Sequence, residues 1–209
     1  MNIIKLLVPY LVCIASFSFS QASDWPVWGG NGSRNMVSFE KKVTFDFMPG
    51  EMGEDEKVDL KTTKNVKWVA KLGSQAYGNV TIANGCVFVG TNNESPRDSQ
   101  KKGDRGVVLC LDEKTGELKW QLVIPKLGAG KVSDWEYIGV CSSPAIDGDK
   151  VYVVTNRCEV VCLDIHGLAD GNNGPFKNEA EYIKPKGMDD PLNPKMDADI
   201  LWMYDMRDE

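Results

Sequence analysis

Residues Cys110 to Trp120 read C-L-D-E-K-T-G-E-L-K-W, and this string closes a strand-rich unit that the chain repeats. The earlier half of the unit, Ile82 to Asn92, reads I-A-N-G-C-V-F-V-G-T-N. Ile146 to Asn156 reads I-D-G-D-K-V-Y-V-V-T-N, so an aromatic residue, valine, threonine and asparagine recur in register. A repeated supersecondary unit cannot bury its apolar face alone, and the units must therefore stack.

Short runs of β-branched and aromatic residues, separated by glycine turns, predict four strands in each unit. The fourth strand of the second unit follows an insertion over residues 165–199, and another insertion, over residues 92–105, interrupts the first unit. Because both insertions are polar, we expect both to lie outside the core. The predicted strands are Val80–Ile82, Val87–Thr91, Val107–Asp112 and Leu118–Leu122 in the first unit and Ala145–Ile146, Val151–Thr155, Val160–Asp164 and Ile200–Trp202 in the second, while Val66–Trp68 is the expected end of an earlier unit.

The turn inside the repeated string has residues suited to reversing the chain. The side chain of Asp112 can accept hydrogen bonds from backbone amides two residues on, and Gly116 can adopt a positive φ without strain. Trp120 follows on the outermost strand, where its ring can clamp a neighbouring unit. The predicted structural repeat motif comprises Trp68, Asp112, Thr115, Gly116, Trp120, Asp164 and Trp202.

This motif resembles the tryptophan-docking repeat of quinoprotein-type β-propellers, A-x-D-x-x-T-G-x-x-x-W, with Cys110 in the alanine position. The resemblance covers residues 64–209, although Ile165-His166-Gly167 replaces the Thr-Gly turn in the second unit. It implies an all-β fold, a partial β-propeller of four-stranded antiparallel blades. Closed propellers contain about four to eight blades. We therefore expect the N-terminal part of a longer bacterial propeller protein, with about two blades and part of a third.

Residues 1–22 have the pattern of a secretory signal peptide, with an apolar run from Leu6 to Phe19 and small residues before cleavage after Ala22. The apolar run is shorter than the about 20 residues that span a bilayer. We expect an exported protein, periplasmic or extracellular and in contact with the envelope, without a transmembrane segment after cleavage. A lead-in over residues 23–63 precedes the repeats.

The net charge and the cysteine content argue against some classes of function. The net charge of −6 argues against nonspecific binding of nucleic acid. The mature chain has an odd number of cysteines, so at least one thiol is not paired within the chain, and it has no C-x-x-C zinc motif. Cys110 and Cys162 occupy equivalent strand positions, where a buried apolar role is expected. The pairing is left open for Cys86, Cys110, Cys141, Cys158 and Cys162.

Several polar and aromatic groups are weaker candidates for a site. Asp170–Gly174 has oxygen ligands at alternate positions, but it lacks the full order of a calcium loop, and a surface turn is preferred. His166 has no nucleophile beside it and is interpreted as a turn residue. Trp135-Glu136-Tyr137 is interpreted as blade packing rather than a sugar or quinone site. We assign no catalytic, cofactor-binding or metal-binding residue. A charged loop, rather than a carboxylate pair, is the interpretation for Asp189, Asp190, Asp197 and Asp199.

The resemblance implies two functions, because one scaffold serves two classes of protein. One class is the non-catalytic propeller of outer-membrane protein assembly, and the other is the dehydrogenases that use pyrroloquinoline quinone with calcium. No catalytic residue of the second class can be placed on this sequence. We expect an exported, non-catalytic scaffold that binds a protein, peptide or polymer on its loop face. The alternative is a quinone-dependent dehydrogenase whose active site lies in further blades, and pyrroloquinoline quinone and calcium follow from the resemblance alone.

Overall fold

A computed structural model describes residues 24–41, 43–127 and 134–207. The predicted signal peptide lies outside the described residues. Within the described ranges the chain forms ten β-strands, one short α-helix and two 3₁₀ turns. The strands form three antiparallel sheets. The predicted all-β fold class is therefore confirmed.

The start of the lead-in bridges the two repeated units. Trp25 N donates a hydrogen bond of 2.7 Å to Ile82 O, and Ile146 N donates one of 2.8 Å to Pro26 O. The inner strands of the two units are thus joined through residues that precede both in sequence. Further along, the lead-in forms a small hairpin of β1 (Glu51–Met52) and β2 (Val58–Asp59).

Each repeated unit is one four-stranded antiparallel sheet with its strands in chain order, as expected of a propeller blade. The first hairpin of blade 1 turns at Asn84 and Gly85, which have φ values of 54° and 71°. Two positive φ values are what a tight hairpin turn requires. Blade 1 contains β3 (Thr81–Ala83), β4 (Cys86–Asn92), β5 (Arg105–Asp112) and β6 (Leu118–Pro125), and blade 2 contains β7 (Ala145–Asp147), β8 (Lys150–Val154), β9 (Glu159–Asp164) and β10 (Ile200–Asp205).

The main hydrophobic core lies between the two blades. Phe88, Cys110 and Trp120 from blade 1 belong to one buried cluster with Leu163 from blade 2. The rings of Phe88 and Trp120 are tilted by 48° with centroids 5.9 Å apart, a favourable aromatic arrangement. Cys110 and Cys162 are both buried, as the sequence predicts, and every cysteine in the described part of the chain is a free thiol.

An extended segment, residues 66–72, covers the opposite face of blade 1. Trp68, Ala70 and Leu72 of this segment pack on a second buried cluster. Val66–Trp68, the expected end of an earlier unit, belongs to none of the described sheets. The segment lies over the face of a sheet rather than beside an edge, and a strand needs a neighbour at its side. The second cluster consists of Val87, Val89, Val107, Leu109, Leu111 and Val123.

The insertion of blade 2, residues 165–199, contributes to the core, so the prediction that it lies outside is wrong. Ile165, Tyr182, Ile183 and Ala198 are all buried in the cluster between the blades. Tyr182 ends a single helical turn, α1 (Glu179–Tyr182), which brings it and Ile183 to the core. These apolar residues are few and separated by polar ones, so the average composition of the insertion conceals them.

The same insertion covers the outer edge of blade 1. Gln121 N, on the edge strand β6, donates a hydrogen bond of 2.8 Å to Met196 O. Ala198 N donates one of 2.8 Å to Gln121 O. An uncovered edge strand exposes unpaired amide and carbonyl groups that promote association. The insertion of blade 2 thus pairs with the edge strand of blade 1.

Buried ion pairs connect the two insertions. Lys101 Nζ lies 2.6 Å from Asp197 Oδ1 and 3.3 Å from Asp98 Oδ2, and all three side chains are buried. Burial raises the pKa of Asp197, whereas the hydrogen bond from Lys101 lowers it. Arg105 forms a second buried pair with Asp190. The insertion of blade 1 is therefore partly buried as well.

These pairs correct the interpretation of the four aspartates as one charged loop. Asp190, Asp197 and Asp199 are buried, and only Asp189 of the four is exposed. The cations that neutralise Asp190 and Asp197 are far away in sequence. No local pattern could reveal that these carboxylates are buried.

We predict that Lys101→Met lowers the free energy of unfolding by about 3–5 kcal/mol, because it leaves Asp98 and Asp197 buried without their cation. Urea unfolding followed by circular dichroism measures the loss. Lys71→Met is the control, since Lys71 pairs with Glu56 at an exposed position, where about 0–1 kcal/mol is expected. Equal losses in the two variants would contradict the assignment of Lys101 as a buried, paired cation.

Candidate functional site

The turn between β5 and β6 holds an indole ring. Asp112 Oδ1 accepts a hydrogen bond of 3.0 Å from Thr115 N, and such backbone hydrogen bonds lower the pKa of Asp112. Gly116 has a φ of +75°, and a Cβ at this position would lie 2.6 Å from the ring of Trp68. Trp68 Nε1 donates a hydrogen bond of 2.9 Å to Glu113 O. We call this arrangement of carbonyl acceptor and glycine an indole seat.

Blade 2 has a second indole seat with a shorter turn. Asp164 Oδ1 accepts a hydrogen bond of 2.7 Å from His166 N, as Asp112 does from its own turn. Trp120 Nε1 donates a hydrogen bond of 2.7 Å to Ile165 O. Gly167, with a φ of +62°, lies so close to Trp120 that a Cβ there would be 2.8 Å from the ring. His166 remains exposed within this turn.

Trp202 occupies in β10 the place that Trp120 occupies in β6, but its surroundings differ. Trp202 is 41% exposed, whereas Trp120 is 1% exposed. The ring centroids of Trp202 and Tyr152 are 6.1 Å apart, similar to the 5.9 Å between those of Trp120 and Phe88. No residue of the described chain provides an indole seat for it. The face of blade 2 that carries Trp202 is therefore open in the described chain.

The predicted motif residues thus fall into three places. The first seat brings together Trp68, Asp112, Thr115 and Gly116, the second brings Trp120 to Asp164, and Trp202 lies apart from both. Sequence reasoning missed Gly167 and the two carbonyl acceptors, on Glu113 and Ile165. The sequence contained a signal for Gly167, because a glycine follows the aspartate in both turns. The signal is weakened by the spacing, which is four residues from Asp112 to Gly116 and three from Asp164 to Gly167.

Three aromatic side chains are exposed at one end of the blades, which we call the loop end. Trp135 and Tyr137, in the connection from β6 to β7, are 68% and 50% exposed, and Tyr77, before β3, is 60% exposed. The interpretation of Trp135-Glu136-Tyr137 as blade packing is therefore wrong. Trp135 and Tyr137 lie where the connection passes outside both sheets, whereas Val140, further along it, is buried in the core between the blades.

Hydrogen bonds hold the backbone under these exposed rings. Tyr137 N donates a hydrogen bond of 2.8 Å to Asp104 Oδ2, and Asn92 Nδ2 donates one to Tyr137 O. Nearby, the buried carboxylate of Asp134 pairs with Lys126 at 2.5 Å. Polar contacts with the β4–β5 loop and with β4 thus fix the connection. Rings on a fixed backbone lose little conformational entropy when they bind a partner.

The family model for outer membrane protein assembly factor BamB matches residues 48–171, more than half of the chain. The chain belongs to this family. The matched residues include all of blade 1, three strands of blade 2 and both indole seats. The resemblance to quinoprotein-type propellers is confirmed. No curated protein matches the chain. Among the described helices, none has the length and apolar character needed to cross a membrane.

Two cavities of this family member do not fit pyrroloquinoline quinone, a planar ring system with three carboxylates. A cavity of about 480 Å³ on the outer face of blade 1 is mostly apolar, and Lys67 and Glu113 are its charged lining residues. A cavity of about 420 Å³ at the loop end has Asp134 as its charged lining residue. An anion of this kind needs several cationic or hydrogen-bonding partners. We therefore assign no cofactor to either cavity.

Asp164, His166 and Asp170 form a group whose ligand atoms all lie within 4.8 Å of one another. His166 and Asp170 are exposed, and exposed acidic groups commonly lie together without a ligand. Asp170 also accepts a hydrogen bond of 3.1 Å from Asn173 Nδ2, which closes the turn over Asp170–Gly174. This group by itself supports no assignment.

We predict that Trp120→Ala lowers the free energy of unfolding by about 3–5 kcal/mol, because it empties the centre of the core between the blades. Trp202→Ala is the matched control in the same motif position, and its large exposed fraction predicts a loss of less than about 1.5 kcal/mol. Urea unfolding of both variants measures the difference. If Trp120→Ala had the same free energy of unfolding as the wild type, the assignment of Trp120 as a clamp between the blades would be contradicted.

Proposed function

We propose that this protein is an exported, non-catalytic propeller scaffold of the cell envelope that binds another protein through its loop end. The observation that carries the proposal is the exposure of Tyr77, Trp135 and Tyr137 at one end of the blades, with the backbone of Tyr137 fixed by hydrogen bonds. Aromatic residues are enriched at protein interfaces and dominate binding energy there. Membership of a family described as an assembly factor for outer membrane proteins supports a protein as the partner.

The proposed scaffold extends beyond the two blades. Trp68 and Trp120 each rest on the Asp–Gly turn of the following blade, so the series predicts such a turn for Trp202. We infer that a further four-stranded blade of the same polypeptide covers the Trp202 face and accepts the indole N–H on a backbone carbonyl. The aromatic side chains of Trp202 and Tyr152 would then be buried, as those of Trp120 and Phe88 are in blade 1.

Hydroxyl-radical footprinting tests this inference. In the 209-residue chain, Trp202 should oxidise readily and Trp120 should not, because their exposed fractions are 41% and 1%. In the native protein isolated from its own envelope, Trp202 should be protected to the same extent as Trp120. Equal oxidation of Trp202 in both samples would show that no further blade covers this face.

Photo-crosslinking tests the binding function. We expect p-benzoylphenylalanine at position 77, 135 or 137 to give a discrete protein adduct in intact envelopes. Mass spectrometry should identify the partner as a component of outer-membrane protein assembly. The same amino acid at Lys114 or Asp149, in exposed turns at the opposite end of the blades, should give none.

Two results would contradict the proposed function. The first is the absence of adducts at the loop end, or equal adducts at both ends. The second is reduction of a dye with alcohols or sugars after addition of pyrroloquinoline quinone and calcium, which would favour the dehydrogenase. Trp135→Ser should weaken the adduct at position 77 without changing the melting temperature, since Trp135 lies outside the core.

A further inference from the structure

Two buried carboxylates lie beside the turn over Asp170–Gly174, which we call the asparagine loop. Glu179 is 1% exposed and Asp199 is 0% exposed. Glu179 Oε1 and Asp199 Oδ1 are both buried and have no hydrogen-bond partner within the described residues. Neither side chain forms an ion pair with any lysine or arginine of the described ranges.

The other oxygens of these carboxylates are both bound to the asparagine loop. Glu179 Oε2 accepts a hydrogen bond of 2.7 Å from Asn172 Nδ2. Asp199 Oδ2 accepts one of 2.7 Å from Asn173 N. Because Asn172 and Asn173 are consecutive, the two carboxylates contact neighbouring residues of one loop. Burial raises the pKa of Asp199, and the charge of Glu179 adds to this effect, which indicates that the two groups interact.

Lys177 is a cation beside this loop, and its charge lowers the pKa of Asp199, although burial, the largest effect, raises it. Lys177 Nζ donates hydrogen bonds to Asn172 O at 2.5 Å and to Asn172 Oδ1 at 2.7 Å, and the Lys177 side chain is exposed. A buried carboxylate without a counter-charge destabilises the folded state. Folded proteins avoid this cost by pairing the charge, protonating it or binding it to a metal ion.

We propose that the unpartnered oxygens of Glu179 and Asp199 bind a divalent cation that prefers oxygen ligands, calcium first. Carboxylate, amide and backbone carbonyl oxygens are the ligands that calcium takes in proteins. The asparagine loop packs on β10, where Phe176 N donates a hydrogen bond of 3.3 Å to Leu201 O. The cation therefore fastens the insertion to the outer strand of blade 2. This structural site is separate from any calcium that would accompany a quinone.

The sequence analysis weighed a calcium loop at Asp170–Gly174 and preferred a surface turn. Asp170 is exposed and bonded to Asn173. The buried acidic ligands come instead from Glu179 on α1 and from Asp199, just before β10. The neighbouring Asp164, His166 and Asp170 form a surface group whose imidazole would suit zinc better than calcium.

Calorimetric titration of the full chain after chelation, with calcium chloride and then magnesium chloride, tests the site. We expect one calcium ion per chain with a dissociation constant of about 10⁻⁴–10⁻³ M, the range of extracellular calcium modules. The melting temperature should rise with calcium concentration, since the ion binds the folded state. Glu179→Gln and Asp199→Asn should each weaken calcium binding by about 10-fold or more.

The stability of these isosteric variants without metal separates lost binding from misfolding. With chelator present, both should melt at or above the temperature of the wild type, because each removes a buried negative charge. With calcium, the wild type should gain stability and the variants should not. His166→Ala is the control for the surface group and should bind calcium as the wild type does.

Two outcomes would overturn the proposal. One is no calcium binding by the wild type up to about 10 mM, well above the weakest class of calcium sites. The other is loss of calcium binding in His166→Ala with retention in Glu179→Gln, which would move the site to the surface group.

Discussion

The hydrogen bond from Trp120 Nε1 to Ile165 O fixes how the two blades stack. An indole ring buried between sheets must place its N–H on an acceptor, and a backbone carbonyl exposed by a tight turn provides one. The ring can reach that carbonyl only because the turn includes Gly167, where a side chain would meet the ring. A single polar contact thereby sets the separation and the orientation of two otherwise apolar faces.

Much of this arrangement could be predicted from the sequence, because its determinants are local. Alternating strands, glycine turns and the spacing from Asp112 to Trp120 lie within one short stretch, and the eight blade strands were all predicted near their observed bounds. Whether Val66–Trp68 pairs as a strand could not be read from the sequence, because strand formation depends on a neighbouring edge. Sequence periodicity reports the apolar face of a segment and does not report whether an edge lies beside it.

The insertions were the harder part, for a physical reason. Lys101 and Asp197 look like solvated charges in sequence, and each becomes tolerable in the interior only through the other. Trp135 and Tyr137 show the opposite error, since large rings usually mark a core, yet here the chain crosses outside both sheets. Residues whose environment is decided by distant partners cannot be placed from local composition. In this molecule such residues form the candidate sites, whereas locally determined residues form the scaffold.

The backbone pairing of residues 196–198 with Gln121 also has a consequence for the order of assembly. A chain that emerges from its amino end presents all four strands of blade 1 before the segment that protects its edge has been made. During synthesis the edge of β6 is therefore open for the whole time that blade 2 is appearing. Exposed edges of this kind make partly folded chains prone to aggregation. A holding chaperone would be most useful to this protein in that interval.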